Sequence, residues 1–188
     1  YLEKRVETVV ASFAAPAAGG VLVPINPLLK AAQVAHILQD AQAQVLVTSA
    51  ARLAAVAPVL AACSELRHVV LCDGSAQPTP SGWPDHLVLH VWPDVLDSQS
   101  AALPALLDTD VAVIFYTSGS TGQPKGVVLS HRNLVAGATS VAGYLHNRAD
   151  DTLLAVLPLS FDAGFSQLTT AFLVGARVVL LNYLLPRD

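Results

Sequence analysis

Short β-rich runs alternate with helical stretches along most of this sequence, and this alternation restricts the fold more than any other feature. One helical stretch places Val34, Ile37 and Leu38 on a single face, as an amphipathic helix would. A strand–helix–strand series of this kind favours a parallel sheet covered by helices. The sequence therefore predicts an α/β fold with mostly parallel sheets flanked by helices.

The pattern also predicts where the elements lie. Predicted helices cover residues 6–15, 30–41, 50–62, 131–145 and 163–174. Predicted strands cover residues 21–24, 44–48, 68–72, 86–91, 111–116, 127–129, 153–157 and 178–181. Because prolines and glycines break long elements between the two halves, we predict a βαβ lobe at 1–72, a Pro/Gly-rich connector at 73–107 and a second lobe at 108–188.

The composition is unusually apolar, with 53% hydrophobic residues, 13% charged residues and a mean hydropathy of +0.53. The longest uncharged run, residues 8–29, contains Pro16, Gly20 and Pro24, which would break a helix in lipid. We therefore expect no membrane span, and since no signal peptide is apparent we expect a cytoplasmic protein. The apolar excess suggests surfaces that further protein covers, so a C-terminal region of the same protein is an expected partner.

Charge and metal-ligand spacing exclude two other classes of function. The net charge is -4 and the basic residues are dispersed, so nucleic acid is not an expected partner. Cys63 and Cys72 have no redox or metal-ligand spacing, and we expect both to be buried free thiols. The histidines likewise show no metal spacing, and we assign them no function.

A polar, glycine-rich loop follows the apolar strand at 111–116. Its ten residues, TSGSTGQPKG at 117–126, combine glycines, hydroxyls and one lysine, which suits a polyphosphate. The Walker pattern does not fit, because Lys125 is followed by Gly126 rather than by serine or threonine. The loop therefore predicts phosphate binding outside the Walker class, although a plain linker would explain its glycines and hydroxyls.

The string YTSGSTGQPKGV at 116–127 resembles the signature phosphate loop of the adenylate-forming superfamily, which includes acyl-CoA synthetases, peptide-synthetase adenylation domains and luciferases. The likeness extends to GGVLVPINP at 19–27, LPLSFDAG at 157–164 and LVGA at 173–176. The nearest likeness is to AMP-forming acyl-CoA ligases associated with exosortase and exopolysaccharide loci. The resemblance implies part of the large N-terminal domain of that fold, without the rest of that domain or the C-terminal catalytic domain.

The resemblance also implies a reaction. A carboxylic acid attacks the α-phosphate of ATP, giving an acyl-adenylate and pyrophosphate, and a thiol of coenzyme A or of a carrier protein then takes the acyl group. Mg²⁺ and the loop would stabilise charge on the departing pyrophosphate. The implied catalytic residues are Lys125 and Thr117, with Thr117 also facing the metal. The implied nucleotide-binding residues are Thr117, Ser118, Gly119, Ser120, Thr121, Gly122, Lys125 and Gly126.

Phe161 and Asp162 are the implied residues of the substrate pocket. Phe161 would gate the acyl pocket, or it is an ordinary core aromatic. Asp162 would pair with the amino group of an amino acid, as in amino-acid-activating members, or it caps the following helix. The substrate class, acyl chain or amino acid, stays open.

The family motifs of the rest of the N-terminal domain and of the C-terminal catalytic domain have no counterpart in these 188 residues. We therefore expect these residues alone to be catalytically inactive. A different class also fits: a non-catalytic nucleotide-binding or scaffold domain that kept the phosphate loop. A third, an NTP-hydrolysing switch, is disfavoured by the failed Walker register.

Overall fold

The computed structural model describes residues 1–73, 82–99, 101–117 and 124–182. In chain order the elements are α1 (Val6–Ala17), α2 (Ala31–Asp40), β1 (Val45–Thr48), α3 (Ala50–Leu60), β2 (His68–Leu71), β3 (Val88–Val91), α4 (Trp92–Leu96), β4 (Val111–Thr117), β5 (Lys125–Ser130), α5 (His131–Leu145), β6 (Thr152–Ala155), α6 (Asp162–Val174) and β7 (Arg177–Leu180). They confirm the predicted α/β class. No helix in the described ranges is long and apolar enough to cross a membrane.

The chain forms two compact units. Unit 1 contains Tyr1–Leu2 and Ile25–Ala102, and unit 2 contains Glu3–Pro24 and Leu103–Asp188. The division differs from the boundaries predicted at 72/73 and 107/108, because the segment carrying α1 joins unit 2 and the predicted connector largely joins unit 1. This division depends on contacts between residues that are distant in sequence. The local pattern of apolar, proline and glycine residues does not predict such contacts.

Unit 1 is built on a parallel sheet with the strand order β1-β2-β3. The apolar face of α2 is buried at Val34, Ile37 and Leu38, as the i, i+3, i+4 spacing predicts. The inner side of α3 is buried through Leu53, Val56 and Leu60. Since the middle strand β2 is buried at its last three residues, the core of this unit lies around β2 and its helices.

Unit 2 is organised around β4, which is buried along most of its length. β5 pairs with β4 in antiparallel orientation, from Val111 opposite Ser130 to Thr117 opposite Lys125. On the other side of β4, Leu22 forms an isolated parallel bridge with Val113. The strand predicted at residues 21–24 is therefore wrong, since only this bridge forms and Pro24 has no N–H for a further ladder bond.

Two helices of unit 2 begin and end where local chemistry places them. α5 begins after Ser130, whose hydroxyl accepts a hydrogen bond from the Asn133 backbone N–H at 3.3 Å, while the Asn133 side chain accepts from the Ser130 backbone N–H at 2.9 Å. This reciprocal pair fixes the start of the helix that was predicted at 131–145. α6 joins the parallel strands β6 and β7, and it ends at Gly175 in the left-handed conformation.

Candidate functional site

The β4–β5 hairpin holds the two ends of the predicted phosphate loop. Thr117 ends β4 and Lys125 begins β5, and the two residues are direct partners across the strands. The Thr117 hydroxyl donates a long hydrogen bond of 3.5 Å to the Lys125 carbonyl. Ser118, Gly119, Ser120, Thr121 and Gly122, all predicted to bind nucleotide, lie outside the described residues.

Lys125 is exposed, and its ammonium makes no hydrogen bond or ion pair to the residues that the structure describes. The backbone of Lys125 belongs to the sheet, so the base of the side chain is held while its charged end can reach an anion. A lysine ammonium is a compact charge with three donors, which suits phosphate. Thr117 adds a hydroxyl next to it.

Gly126 lies within β5, opposite Tyr116. A Cβ atom here would approach the Ile114 Cγ2 atom to 2.8 Å and the Tyr116 ring to 3.4 Å. Ile114 is β-branched and cannot easily rotate away. The structure thus gives Gly126 a packing role beside the loop, in addition to the turning role that its position in the motif implies.

Phe161 occupies the N-cap position of α6 and is 43% exposed. Among the described residues, Phe161 is therefore not part of the core of unit 2. The ring that fills the core is Phe165, one helical turn later and 3% exposed. Phe161 lies at the surface of unit 2.

Asp162 is the first residue of α6 and does not cap it, since Phe161 is the N-cap and no side chain makes the capping hydrogen bond. The capping alternative is therefore wrong, because the helix begins one residue earlier than that role requires. The Asp162 carboxylate is exposed, and it makes no hydrogen bond to a described residue. A negative charge in the first helical turn is favourable, and the carboxylate stays available for a ligand.

The segment between β6 and Phe161 is held by side chains that no sequence motif singles out. Gln167 of α6 donates to the Leu154 carbonyl at 3.1 Å and accepts from the Leu157 N–H at 3.2 Å. Lys4 donates to the carbonyls of Val156 at 2.6 Å and Leu157 at 3.3 Å. Partial burial lowers the pKa of Lys4 below its ordinary value.

Neither of these two contacts has a signal in the sequence. Gln167 is one of several polar residues in α6, and both of its hydrogen bonds are exposed. Lys4 donates to carbonyls more than 150 residues away, and no local pattern predicts that. Asn182 holds Lys4 in place, because its side chain exchanges two hydrogen bonds with the Lys4 backbone at 2.7 and 3.0 Å.

An aromatic contact connects the two halves of the predicted site. The Phe115 and Phe165 rings meet edge to face with centroids 5.7 Å apart. Thr117 lies two residues beyond Phe115, and Phe161 lies one helical turn before Phe165. The core of unit 2 therefore ties the end of the phosphate loop to the start of α6, which carries the predicted substrate residues.

Other chemistry is limited in the described residues. They contain no group of three or more His, Cys, Asp or Glu side chains that could hold a metal ion. Cys63 and Cys72 are buried free thiols, as predicted, and burial raises the pKa of Cys63. The arrangement that remains is a hydroxyl and an ammonium beside the loop, with an aromatic ring and a carboxylate at the start of α6.

Comparison with known proteins decides the family. The model of the family described as "AMP-binding enzyme" matches residues 1–188, the whole chain. The chain belongs to the AMP-binding enzyme family. This confirms the resemblance drawn from the loop motif, and the family consists of adenylate-forming ligases that include acyl-CoA and carrier-protein ligases.

Relatives of this chain act on different acids. It is 36% identical over 169 residues to a crotonobetaine/carnitine–CoA ligase of Escherichia coli, covering 87% of this chain and 31% of the relative. It is 34% identical over 183 residues to an L-proline–[L-prolyl-carrier protein] ligase of Pseudomonas fluorescens, covering 96% of this chain and 34% of the relative. The chain thus spans about a third of the length of these relatives.

The fold agrees with solved structures of the same kind. A long-chain-fatty-acid-CoA ligase of Archaeoglobus fulgidus superposes with a TM-score of 0.80 at 28% identity, covering 95% of this chain and 34% of that structure. The predicted fold, part of the N-terminal domain of an adenylate-forming enzyme, is confirmed by this similarity.

Proposed function

We propose that the full-length protein activates a carboxylic acid as an acyl-adenylate with release of pyrophosphate, and then transfers the acyl group to a thiol. The observation that carries the proposal is the β4–β5 hairpin, which presents Thr117 and Lys125 at the two ends of the TSGSTGQPKG loop in a chain of the AMP-binding family. We also propose that the reaction takes place in the cytoplasm, where ATP and coenzyme A are available.

The side chains present fit ATP and Mg²⁺. An exposed ammonium and an exposed hydroxyl provide donors for phosphate oxygens, with Lys125 holding phosphate and Thr117 placed for phosphate or metal. Mg²⁺ commonly keeps several waters and binds through substrate phosphates and one or two carboxylates, so Thr117 would supply one ligand and a carboxylate would come from elsewhere in the full-length protein. Bound ATP supplies the adenylyl group that turns a carboxylate into an acyl donor.

Lys125 would act by charge. Its ammonium would neutralise negative charge that builds on the departing pyrophosphate, and the backbone of β5 would fix the point from which the side chain reaches the phosphates. Phe161 would cover the acyl group at the start of α6, and the hydrogen bonds of Gln167 and Lys4 would keep that segment in place.

The test is carboxylate-dependent ATP–pyrophosphate exchange by the full-length protein, measured across fatty, aromatic and amino acids. Lys125→Ala should lower the exchange about 10²- to 10³-fold, the usual effect of removing one preorganised transition-state donor. Lys30→Ala is the matched control, since Lys30 is an exposed lysine in unit 1, and it should leave exchange unchanged. No exchange with any acid, in a folded protein that binds ATP, would favour the scaffold alternative.

The acceptor thiol is proposed to be that of coenzyme A, supported by the CoA ligases among the similar proteins. Carrier-protein ligases are similar as well, so a phosphopantetheine thiol on a carrier protein is the alternative. Consumption of the enzyme-bound adenylate by free coenzyme A, followed by mass spectrometry of the thioester, would separate the two acceptors.

An amino acid substrate is the second candidate, and Asp162 favours it. Its exposed carboxylate stands beside Phe161 without a structural partner among the described residues. If it pairs with a substrate amino group, Asp162→Asn should reduce amino-acid-dependent exchange at least tenfold and leave fatty-acid-dependent exchange unchanged. Asp150→Asn, at an exposed turn, is the control. Equal exchange in Asp162→Asn and the parent protein would remove this candidate.

A further inference from the structure

Two histidines of unit 1 lie side by side on neighbouring strands. His68 begins β2, and His90 is the third residue of β3. His68 is in register with Val88, and Val88 and His90 share a face because side chains alternate along a strand. The two imidazoles therefore project from the same face of the sheet as diagonal neighbours.

Their ring nitrogens are close enough to share one ion. His68 Nδ1 lies 3.1 Å from His90 Nε2, and the ring centroids are 5.1 Å apart at an interplanar angle of 54°. A zinc–imidazole bond is about 2.0–2.1 Å long, so two nitrogens on one metal at coordination angles near 90–110° lie roughly 2.9–3.4 Å apart. The observed separation falls in this interval.

The protonation of the pair is compatible with binding. At 3.1 Å one ring donates an N–H to the lone pair of the other. A neutral imidazole can carry its single proton on either nitrogen, so His68 Nδ1 and His90 Nε2 can both present a lone pair. Binding requires that the donor ring change tautomer and that the rings turn until both lone pairs meet on the ion.

We propose that His68 and His90 form a two-histidine site for a divalent transition metal that prefers imidazole, such as Zn²⁺, Ni²⁺ or Cu²⁺. Hard ions such as Mg²⁺ and Ca²⁺ prefer oxygen ligands and are not expected there. Since no group of three metal-ligating side chains exists among the described residues, water completes the coordination. The proposal does not rest on the ligase function, because neither histidine belongs to the unit that contains the phosphate loop.

A bound metal would have a structural effect that can be measured. β3 lies at the edge of its sheet, and β2 is its neighbour there. An ion held by both histidines would link these strands in the folded state only, so binding should raise the temperature of unfolding of unit 1. Trp83 and Trp92 both belong to unit 1 and contribute to the tryptophan fluorescence that follows this unfolding.

The experiment is a Zn²⁺ titration of the full-length protein by isothermal calorimetry, with Mg²⁺ as the comparison ion and with thermal unfolding followed by tryptophan fluorescence. His68→Gln and His90→Gln should each weaken Zn²⁺ binding at least tenfold, because each leaves a single imidazole. His86→Gln, an exposed histidine in the same unit, is the matched control, and it should bind like the parent protein.

Circular dichroism of each variant verifies that it is folded, since both positions are at the sheet surface and a glutamine is tolerated there. Equal Zn²⁺ affinity in the parent and both single variants would overturn the proposal. Weakening by His86→Gln as strong as by His90→Gln would also overturn it, because binding would then be spread over surface histidines. A Zn²⁺-dependent shift of the unfolding temperature that disappears in both single variants would support it.

Discussion

The backbone of α6 approaches the end of the preceding loop so closely that residue 164 has no space for a side chain. A Cβ atom on Gly164 would lie 1.9 Å from the Pro158 carbonyl oxygen and 2.6 Å from its carbon. These are backbone atoms, so the clash cannot be relieved by rotating a side chain. The family motif LPLSFDAG contains this glycine, and the structure supplies a steric reason for it.

Gly164→Ala should therefore destabilise unit 2. Overpacking a core position costs about 1–3 kcal/mol, and a clash with backbone should be at the upper end of that range or above it. Urea unfolding at equilibrium measures the change. Gly137→Ala is the matched control, because a Cβ atom there meets nothing within 4 Å in the interior of α5, and it should stabilise by about 0.5–1 kcal/mol. A Gly164→Ala protein as stable as Gly137→Ala would contradict the close approach of Pro158.

At the level of single elements, the Ser130 cap shows how local chemistry sets a helix boundary. Its hydroxyl and the Asn133 side chain satisfy backbone donors that would otherwise be unpaired at the start of α5. Ser130→Ala should lower the free energy of unfolding by about 1 kcal/mol. Ser140→Ala, in the exposed interior of the same helix, should change it by only a few tenths of a kcal/mol in the stabilising direction. Thermal and urea unfolding of both variants measure the difference.

The segment before α6 depends on hydrogen bonds from a residue far away in sequence. Lys4→Met keeps most of the side-chain volume but removes the hydrogen bonds to the Val156 and Leu157 carbonyls. We expect faster amide hydrogen exchange at residues 156–161, and a raised KM for the carboxylic acid in the full-length protein. Lys30→Met should leave both unchanged. Unaltered amide hydrogen exchange at residues 156–161 in Lys4→Met would show that Gln167 holds this segment without Lys4.

At the scale of the whole molecule, the reactivity of the cysteines reports whether unit 1 is folded. The two cysteines of the sequence, Cys63 and Cys72, are both buried in this unit. Because burial raises the pKa of Cys63, its thiolate is scarce at neutral pH. Alkylation by iodoacetamide, followed by mass spectrometry, should therefore be slow in the native protein and should accelerate across the urea transition. Rapid alkylation of Cys63 without denaturant would contradict its burial.

The raised pKa of Cys63 also has a consequence for stability at high pH. The folded state favours the neutral thiol, so its contribution to stability is complete below the ordinary thiol pKa of about 8.5 and is lost as the pH rises through the raised pKa of Cys63. Urea midpoints of unit 1 should therefore fall above about pH 9. The fall should be smaller in Cys63→Ala, which lacks the titrating group but starts from a lower stability.

Much of the fold was predictable because it depends on local periodicity. The helix at 131–145 has its predicted bounds, since a serine cap begins it and the apolar pattern of a helix fills it. The strand at 21–24 was not predictable in the same way, because four apolar residues form a strand only if a partner offers a full ladder. Only Leu22 finds one, on β4.

The candidate site, like the fold, was predictable only in part. The loop motif and the family were evident from TSGSTGQPKG and its flanking motifs, since the residues expected to bind phosphate are consecutive in the chain. Three other features could not be predicted, because each depends on chain segments that meet only after folding. They are the positions of Phe161 and Asp162 relative to the start of α6, the hydrogen bonds from Lys4 and Gln167, and the contact of His68 with His90. The sequence by itself determined which reactive side chains the protein has. Only the tertiary structure decided which of them lie close together, because that depends on how the elements pack.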